Sequence, residues 1–299
     1  MRVVSLGSGS SGNATLVEVG ATRLLVDAGF MAGTIRARLR QWGVAPQSIT
    51  AVLLTHEHSD HTRGAVEFAN RFSVPLIANQ PTLDAVTRAA VGGTSPARQA
   101  LALGGSLRLG TVEVMSFPIS HDAVAPCGFL LSSGAWRVCV ATDTGEVTPA
   151  MAEALRAAHV LVIEANHDEE RLLRGPYPWH LKRRIQSATG HLSNLQTAAA
   201  LAGALDESPR WVCLAHLSRT NNTPELARAT VRQHLRQAGL GHAAIQVAPP
   251  GPLHIWDSAT LWGAAPAADA TPTGAADERL PAGADALPPA VTVARMGKR

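Results

Sequence analysis

The sequence contains only three cysteines, Cys127, Cys139 and Cys213, with no C-x-x-C pair among them. An odd number cannot all pair within the chain, so a disulfide scaffold is set aside and a reducing compartment is the expected setting. Also missing are an uninterrupted apolar stretch long enough to cross a bilayer and a charged-then-apolar leader before the strand that opens at Arg2-Val3-Val4. These absences lead to the expectation of a cytoplasmic protein with no membrane partner. There is no G-x-S-x-G elbow and no cysteine set in an evident motif with a histidine, so the sequence offers no protein nucleophile. Excess charge is small too: 26 basic against 23 acidic residues leave a net +3. That balance permits an anionic substrate without demanding one.

Histidine, by contrast, is concentrated in one place. Thr55-His56-Glu57-His58-Ser59-Asp60-His61 follows the apolar run Ile49, Ala51, Val52, Leu53, Leu54. A short loop leaving a buried strand can aim several imidazoles at one point, and histidine is the commonest metal ligand among side chains. In an extended segment His56 and His58 alternate and serve one ion, while Asp60 and His61, on the following turn, serve a second. A hydrated histidine-rich loop is the alternative, and it explains neither the compact order nor the apolar lead-in.

The 299 residues, 46% of them hydrophobic, are enough for a real core. Alternating apolar runs predict strands from Val3–Leu6 through Leu253–Trp256, and amphipathic stretches predict helices that include 62–72, 149–157, 180–186, 194–204 and 224–237. Many short strands alternating with helices indicate a layered α/β architecture. The expected catalytic domain covers residues 1–262. Beyond it, residues 263–299 are rich in Ala, Pro, Gly and Asp with almost no aromatic or β-branched residues, a composition expected to remain disordered.

Gly7-Ser8-Gly9-Ser10-Ser11-Gly12 matches G-x-G-x-x-G literally, but that fingerprint must open a helix. Here Asn13-Ala14-Thr15-Leu16-Val17-Glu18-Val19 alternates like a strand. Two readings of the loop stay open: a backbone nest for a phosphate, or a tight entry to a hairpin.

Three further residues follow apolar β-rich runs, as ligands at one sheet edge should: His121, Asp143 and His216. Two divalent ions need about this many donors. The grouping is His56, His58 and His121 for the first ion and Asp60, His61 and His216 for the second, with Asp143 bridging through its two oxygens.

H-E-H-S-D-H, a later His, T-D-T-G at Thr142 to Gly145 and a strand-end His together resemble the metallo-β-lactamase superfamily. The resemblance spans about residues 1 to 260 and implies a four-layer αββα sandwich with a dinuclear site at one edge. S-G-S-S-G-N at Ser8 to Asn13, L-L-V-D-A-G at Leu24 to Gly29, I-E-A-N-H-D at Ile163 to Asp168, G-H-L-S-N at Gly190 to Asn194 and H-L-S-R-T-N-N at His216 to Asn222 are similar to the YycJ (WalJ) branch. That branch implies a phosphodiesterase with 5′ to 3′ exonuclease action, on DNA in preference to RNA. No extended insert separates Asp143 from His216, so the nucleic-acid clamp domain of ribonuclease J relatives is not expected.

By position, the proton-transfer residues of ribonuclease Z correspond to Glu164 and His191. The implied catalytic residues are therefore Asp60, Glu164 and His191, with attack by a hydroxide bridging two ions about 4 Å apart. A helix N-terminal role before Ser193 and Asn194 is the other reading of His191. Nitrogen and carboxylate donors without thiolate accept zinc, manganese or iron.

Asp27 is either a carboxylate that orients a ligand imidazole or an ordinary strand-end residue. Ser10, Ser11, Asn13, Arg183 and Arg219 are the candidate substrate contacts. Arg183 belongs to the basic segment 171–184, where Tyr177 and Trp179 could stack a base, although a solvated helix face would look similar. The alternative function is hydrolysis of a small thioester, lactone or cyclic phosphodiester. Oligomeric state is left open.

Overall fold

A computed structural model describes residues 1–89 and 95–260, so the expected boundary at 262/263 and the tail beyond it lie outside the described residues. In chain order the elements are β1 (Arg2–Gly7), β2 (Ala14–Val19), β3 (Thr22–Val26), α1 (Ala32–Gln41), β4 (Ala51–Leu53), α2 (Ser59–Thr62), α3 (Ala65–Phe72), β5 (Leu76–Ala78), α4 (Gln80–Ala89) and β6 (Arg98–Ala100). There follow β7 (Ser106–Leu109), β8 (Val112–Pro118), β9 (Cys127–Ser133), β10 (Trp136–Ala141), α5 (Pro149–Ala157), β11 (Val160–Glu164), α6 (Glu169–Arg174), α7 (Trp179–Ile185), α8 (Asn194–Ala204), β12 (Trp211–Ala215), α9 (Pro224–Gln237), β13 (Ala244–Val247) and β14 (Leu253–Asp257).

The strands form two mixed seven-stranded sheets, ordered β14-β1-β2-β3-β4-β5-β6 and β13-β12-β11-β10-β9-β8-β7. Strand alternation builds the layers. In β10, Val138 and Val140 face the interior between the sheets, while Cys139 and Ala141 face α5 and α8. In β3, Leu24 and Val26 face the same interior and Leu25 faces α1 and α3. Each sheet is thus apolar on both faces, with one cluster between the sheets and one under each helical layer. The result is the αββα sandwich. Burying each large aliphatic side chain in these clusters contributes on the order of 1.5–3 kcal/mol.

Three local differences from the sequence expectation have physical causes. The predicted helix 62–72 begins later, as α3 at Ala65, behind a separate single turn α2 over Ser59–Thr62, because the Gly64 N–H between them is spent on Ala28 O at 2.9 Å. β6 was not expected: its three residues are all exposed and carry no apolar alternation. Nor was α6, whose start is set by Asp168, the N-cap side chain accepting from Arg171 N.

The two sheets share a polarity. β10, β11, β12 and β13 pair in parallel, as do β3, β4, β5 and β6. Their carboxyl ends point to one rim, the usual location of ligand sites in α/β sheets. The hairpin turns at Gly20, Gly110 and Gly134, all with φ between 55° and 57°, lie at the opposite rim. Among the described residues no helix is long and apolar enough to cross a membrane.

Candidate metal centre

The site-bearing residues each leave the end of a strand at that rim: Asp27 after β3, the Thr55 to His61 segment after β4, His121 after β8, Asp143 after β10, Glu164 at the end of β11 and His216 after β12. Asp27, Asp143 and His216 hold φ of 63°, 60° and 53°. Left-handed backbone costs a non-glycine residue roughly 1–3 kcal/mol, and such strain clusters at functional sites.

The imidazoles are aimed by what holds their Nδ1 atoms. His61 Nδ1 lies 2.8 Å from Asp27 Oδ2, His216 Nδ1 2.8 Å from Glu164 Oε1 and His121 Nδ1 3.2 Å from Gly190 O. His56 Nδ1 lies 3.0 Å from Thr55 Oγ1, whose own hydrogen goes to Asp27. Each of these oxygens accepts, so each Nδ1 carries a proton, by inference from the network. Every Nε2 is then turned toward a common centre, the arrangement by which second partners orient metal-binding histidines.

Donor atoms gather there in three groups. His56, His58 and His121 form one cluster, Asp60, His61, Asp143 and His216 a second, and Asp143, Glu164, His191 and His216 a third, with the donor atoms of each within 4.8 Å of one another. His56 Nε2, His216 Nε2 and Asp143 Oδ2 are buried and have no hydrogen-bond partner. Asp143 Oδ2 approaches His61 Nε2 to 2.8 Å without the alignment of a hydrogen bond. Buried polar atoms left unpaired are costly unless a ligand completes them. A set of nitrogen and carboxylate oxygen donors with orphaned lone pairs fits divalent cations.

The electrostatics agree. Burial opposes charge on His61, yet Asp143 and Asp27 outweigh it and hold the imidazole well above its usual range. Burial likewise opposes charge on His216, but Asp143, Asp60 and Glu164 lift it to about 10. Burial would raise the Asp143 carboxyl, but His216 and His61 outweigh it and hold it well below the usual range. Burial holds His56 and His121 below their usual range instead, so the pull on positive charge is concentrated at His61 and His216, beside the carboxylates.

Glu164 is fully buried and serves two histidines. Its Oε1 lies 2.8 Å from both His191 Nδ1 and His216 Nδ1, while Oε2 accepts from Thr144 N at 3.0 Å and Leu192 N at 3.2 Å. Burial would raise this carboxyl, but His191 and His216 bring it down to about 2. His191 is 21% exposed where His216 is 3%. It lines a cavity of about 190 Å³ together with Ser10, Asp122, Asn166, Tyr177, Arg184 and Ser218.

The substrate candidates divide. Ser10 lines the cavity; Ser11 and Arg219 do not, and Ser11 Oγ accepts from Arg219 Nη2 at 3.0 Å. Arg183 is exposed and does not line the cavity; Arg184 does, its guanidinium 2.6 Å from Asp122 Oδ2. Asn13 is turned inward. Its Oδ1 accepts from Gly9 N at 2.8 Å and its Nδ2 lies 3.1 Å from His61 Nε2, so it pins the Gly-rich loop against the centre. That loop joins two antiparallel strands, which excludes the dinucleotide fingerprint.

Asn166 and Ser218 escaped the sequence reading. Asn166 Nδ2 donates to His216 O at 3.0 Å and Ser218 N donates to Asn166 O at 2.8 Å, which fixes the turn carrying His216. The only signal for them was their place inside the two motifs. His167 is buried with an unpartnered Nδ1, and burial lowers its pKa to about 4.

Comparison with known proteins gives the same fold. Residues 22–217 match the family model described as a beta-lactamase superfamily domain. The chain is 36% identical over 236 residues to the exodeoxyribonuclease YycJ of Bacillus anthracis, covering 79% of this chain and 89% of that protein. It is 39% identical over 238 residues to the exodeoxyribonuclease WalJ of Streptococcus pneumoniae, covering 79% and 88%. The crystal structure of the metallo-beta-lactamase fold protein YhfI from Bacillus subtilis superposes with a TM-score of 0.65 at 18% identity, covering 85% and 99%. With two rim clusters of His and Asp donors on this sandwich, the chain belongs to the metallo-β-lactamase superfamily, as a metal-dependent hydrolase related to the YycJ and WalJ exodeoxyribonucleases.

Proposed function

We propose that the protein is a dinuclear phosphodiesterase that shortens DNA from the 5′ end in the cytoplasm. His56, His58 and His121 would hold one ion and Asp60, His61 and His216 the other, with Asp143 between them; zinc or manganese suits these donors, and iron is also acceptable to them. Ions so held supply the positive charge that activates water and offsets the charge developing on phosphorus. The observation that carries the reading is the Glu164–His191 pair. His191 Nδ1 is fixed at 2.8 Å from Glu164 Oε1, which leaves Nε2 free at the cavity wall. An imidazole placed there can protonate the departing oxygen of a phosphodiester, for which a thioester or lactone has less need. Glu164, which also orients His216, is a positioning residue for both rings.

Ser10, Tyr177, Arg184 and Ser218 line the cavity beside His191 and suit a terminal nucleotide, and Trp179, 58% exposed, offers a nearby stacking face. The relatives named exodeoxyribonucleases support DNA as the polymer. All three cysteines are free, buried thiols, in keeping with a reducing compartment.

The test offers 5′-labelled single-stranded and duplex DNA, RNA, a generic phosphodiester, a thioester and a lactone, with zinc or manganese in turn. Stepwise loss of nucleotides from the 5′ end of DNA is expected. Turnover of the thioester or lactone alone would overturn the reading in favour of small-ester hydrolysis. His191→Ala should lower phosphodiester turnover by roughly 10²–10⁴-fold, the usual worth of a general acid, with bound metal unchanged by elemental analysis. Parallel loss of metal and activity would make His191 a ligand. Chelation should lower the melting temperature. An ion at about 100 times its dissociation constant contributes about 2.7 kcal/mol, equivalent to roughly 5–10 °C in a domain of this size, and zinc or manganese should restore it.

A further inference from the structure

Apart from the metal centre, α9 carries Arg228, Arg232 and Arg236 at four-residue intervals. Each directly follows a buried residue, Ala227, Val231 and Leu235, which seat the helix on the sandwich. The three guanidiniums therefore share one strip along the flank of the buried seam. All three are exposed, and no hydrogen bond or ion pair engages them among the described residues. Arg2 and Arg23 are matched to Glu18, Arg174 to Glu170, Arg184 to Asp122 and Arg210 to Asp206, whereas Arg88 and Arg183 are unmatched too among the described residues; what marks α9 is the run of three on one face. Ala229 and Gln233 lie between its cations, and the helix carries a single acid, Glu225 in the first turn. Like charges at this spacing repel and weaken an isolated helix, so the arrangement calls for an anionic partner.

Eight residues of helix at 1.5 Å each put the outer arginines about 12 Å apart along the axis. One strand of a DNA duplex presents a phosphate about every 3.4 Å, so the strip faces about three or four phosphates. The strip also connects to the site through the chain: His216 leads through Arg219 to Thr223, the N-cap of α9. A planar guanidinium donates paired hydrogen bonds to phosphate oxygens without reading the base. We propose that the α9 arginine strip is a second contact for the sugar–phosphate backbone of DNA whose end is processed at the metal centre. This rests on the nucleic-acid reading above.

The experiment uses the metal-loaded protein and the combined variant Arg228→Ala, Arg232→Ala, Arg236→Ala. Binding is measured on a circular single-stranded DNA, which has no end to degrade, over a range of salt, and turnover is measured on bis(p-nitrophenyl) phosphate, which is too short to reach α9. Loss of three phosphate contacts should reduce the slope of log affinity against log salt by about 2 for a single strand. Turnover of the small diester should be unchanged, and Arg→Lys at the same three positions should restore most of the slope. Wild-type affinity and slope in the alanine variant would overturn the proposal, as would an absence of DNA binding by the unaltered protein. Binding through the strip without degradation of linear DNA would leave the α9 contact standing and overturn the exonuclease reading instead.

Discussion

Asp143→Asn is expected to abolish hydrolysis with the fold intact. Asn matches Asp in size and tolerates the left-handed backbone that position 143 adopts at φ 60°, so the substitution removes a charge without adding strain. What is lost is the charge of a carboxylate shared by the Asp60, His61, His216 group and the Glu164, His191, His216 group, with Oδ2 buried and unpaired. Residues that only orient a ligand typically cost about 10–100-fold when removed, so the loss here should exceed that range. Turnover, bound metal and circular dichroism measured together decide it, and a folded variant with undiminished turnover would refute the site. His61→Ala should silence the enzyme as well. It is the less clean change, because truncation leaves Asp27 and Asp143 facing each other's charge across a fully buried space.

The largest effect on stability should come from Gly29→Ala. A Cβ at this position would overlap the Asp60 carbonyl oxygen, which is itself held by Asn13 N at 2.8 Å. Gly29 N donates to Asn13 O at 2.9 Å and the adjacent Ala28 N donates to His61 O at 2.8 Å. Three segments of the site are stitched together by backbone here, and none can withdraw without releasing another. A loss of at least about 3 kcal/mol is expected in urea unfolding, or failure to accumulate as folded protein. Gly33→Ala is the internal control: it lies within α1 with nothing near its Cβ position, and alanine there should stabilise by roughly 0.5–1 kcal/mol. Equal stability of the two variants would show that the close approach at Gly29 is not tight.

Much of this was legible in the chain because the signals are local. The switch between alternation and helical spacing located the strands that form the layers, and all seven proposed metal donors follow apolar runs that end at one rim. What escaped depends on distance in sequence. Glu164 was matched to His191, 27 residues away, but its equal bond to His216, 52 residues away, arises only when β11 and β12 pair in parallel. Asn13 looked like a ligand for substrate because it is polar in a Gly-rich loop, and its inward turn depends on the Asp60 backbone folding over it. Arg183 and Arg184 cannot be told apart by composition. The rotation of about 100° between neighbours on α7 sends one to solvent and the other to the cavity wall.

The shared polarity of the sheets divides the molecule's tolerance for change. Every chemical group stands on a connection at the carboxyl rim, whereas the tight turns at Gly20, Gly110 and Gly134 hold the opposite rim. Changes of length are therefore best tolerated in the exposed parts of the carboxyl-rim connections, such as 173–176, because Ile119, Asp143, Thr144, Ala165, Asn166 and Asn221 in the same connections are buried. Relatives of this chain can in this way acquire new substrates by insertion at one rim while keeping the same cage for cations beneath it.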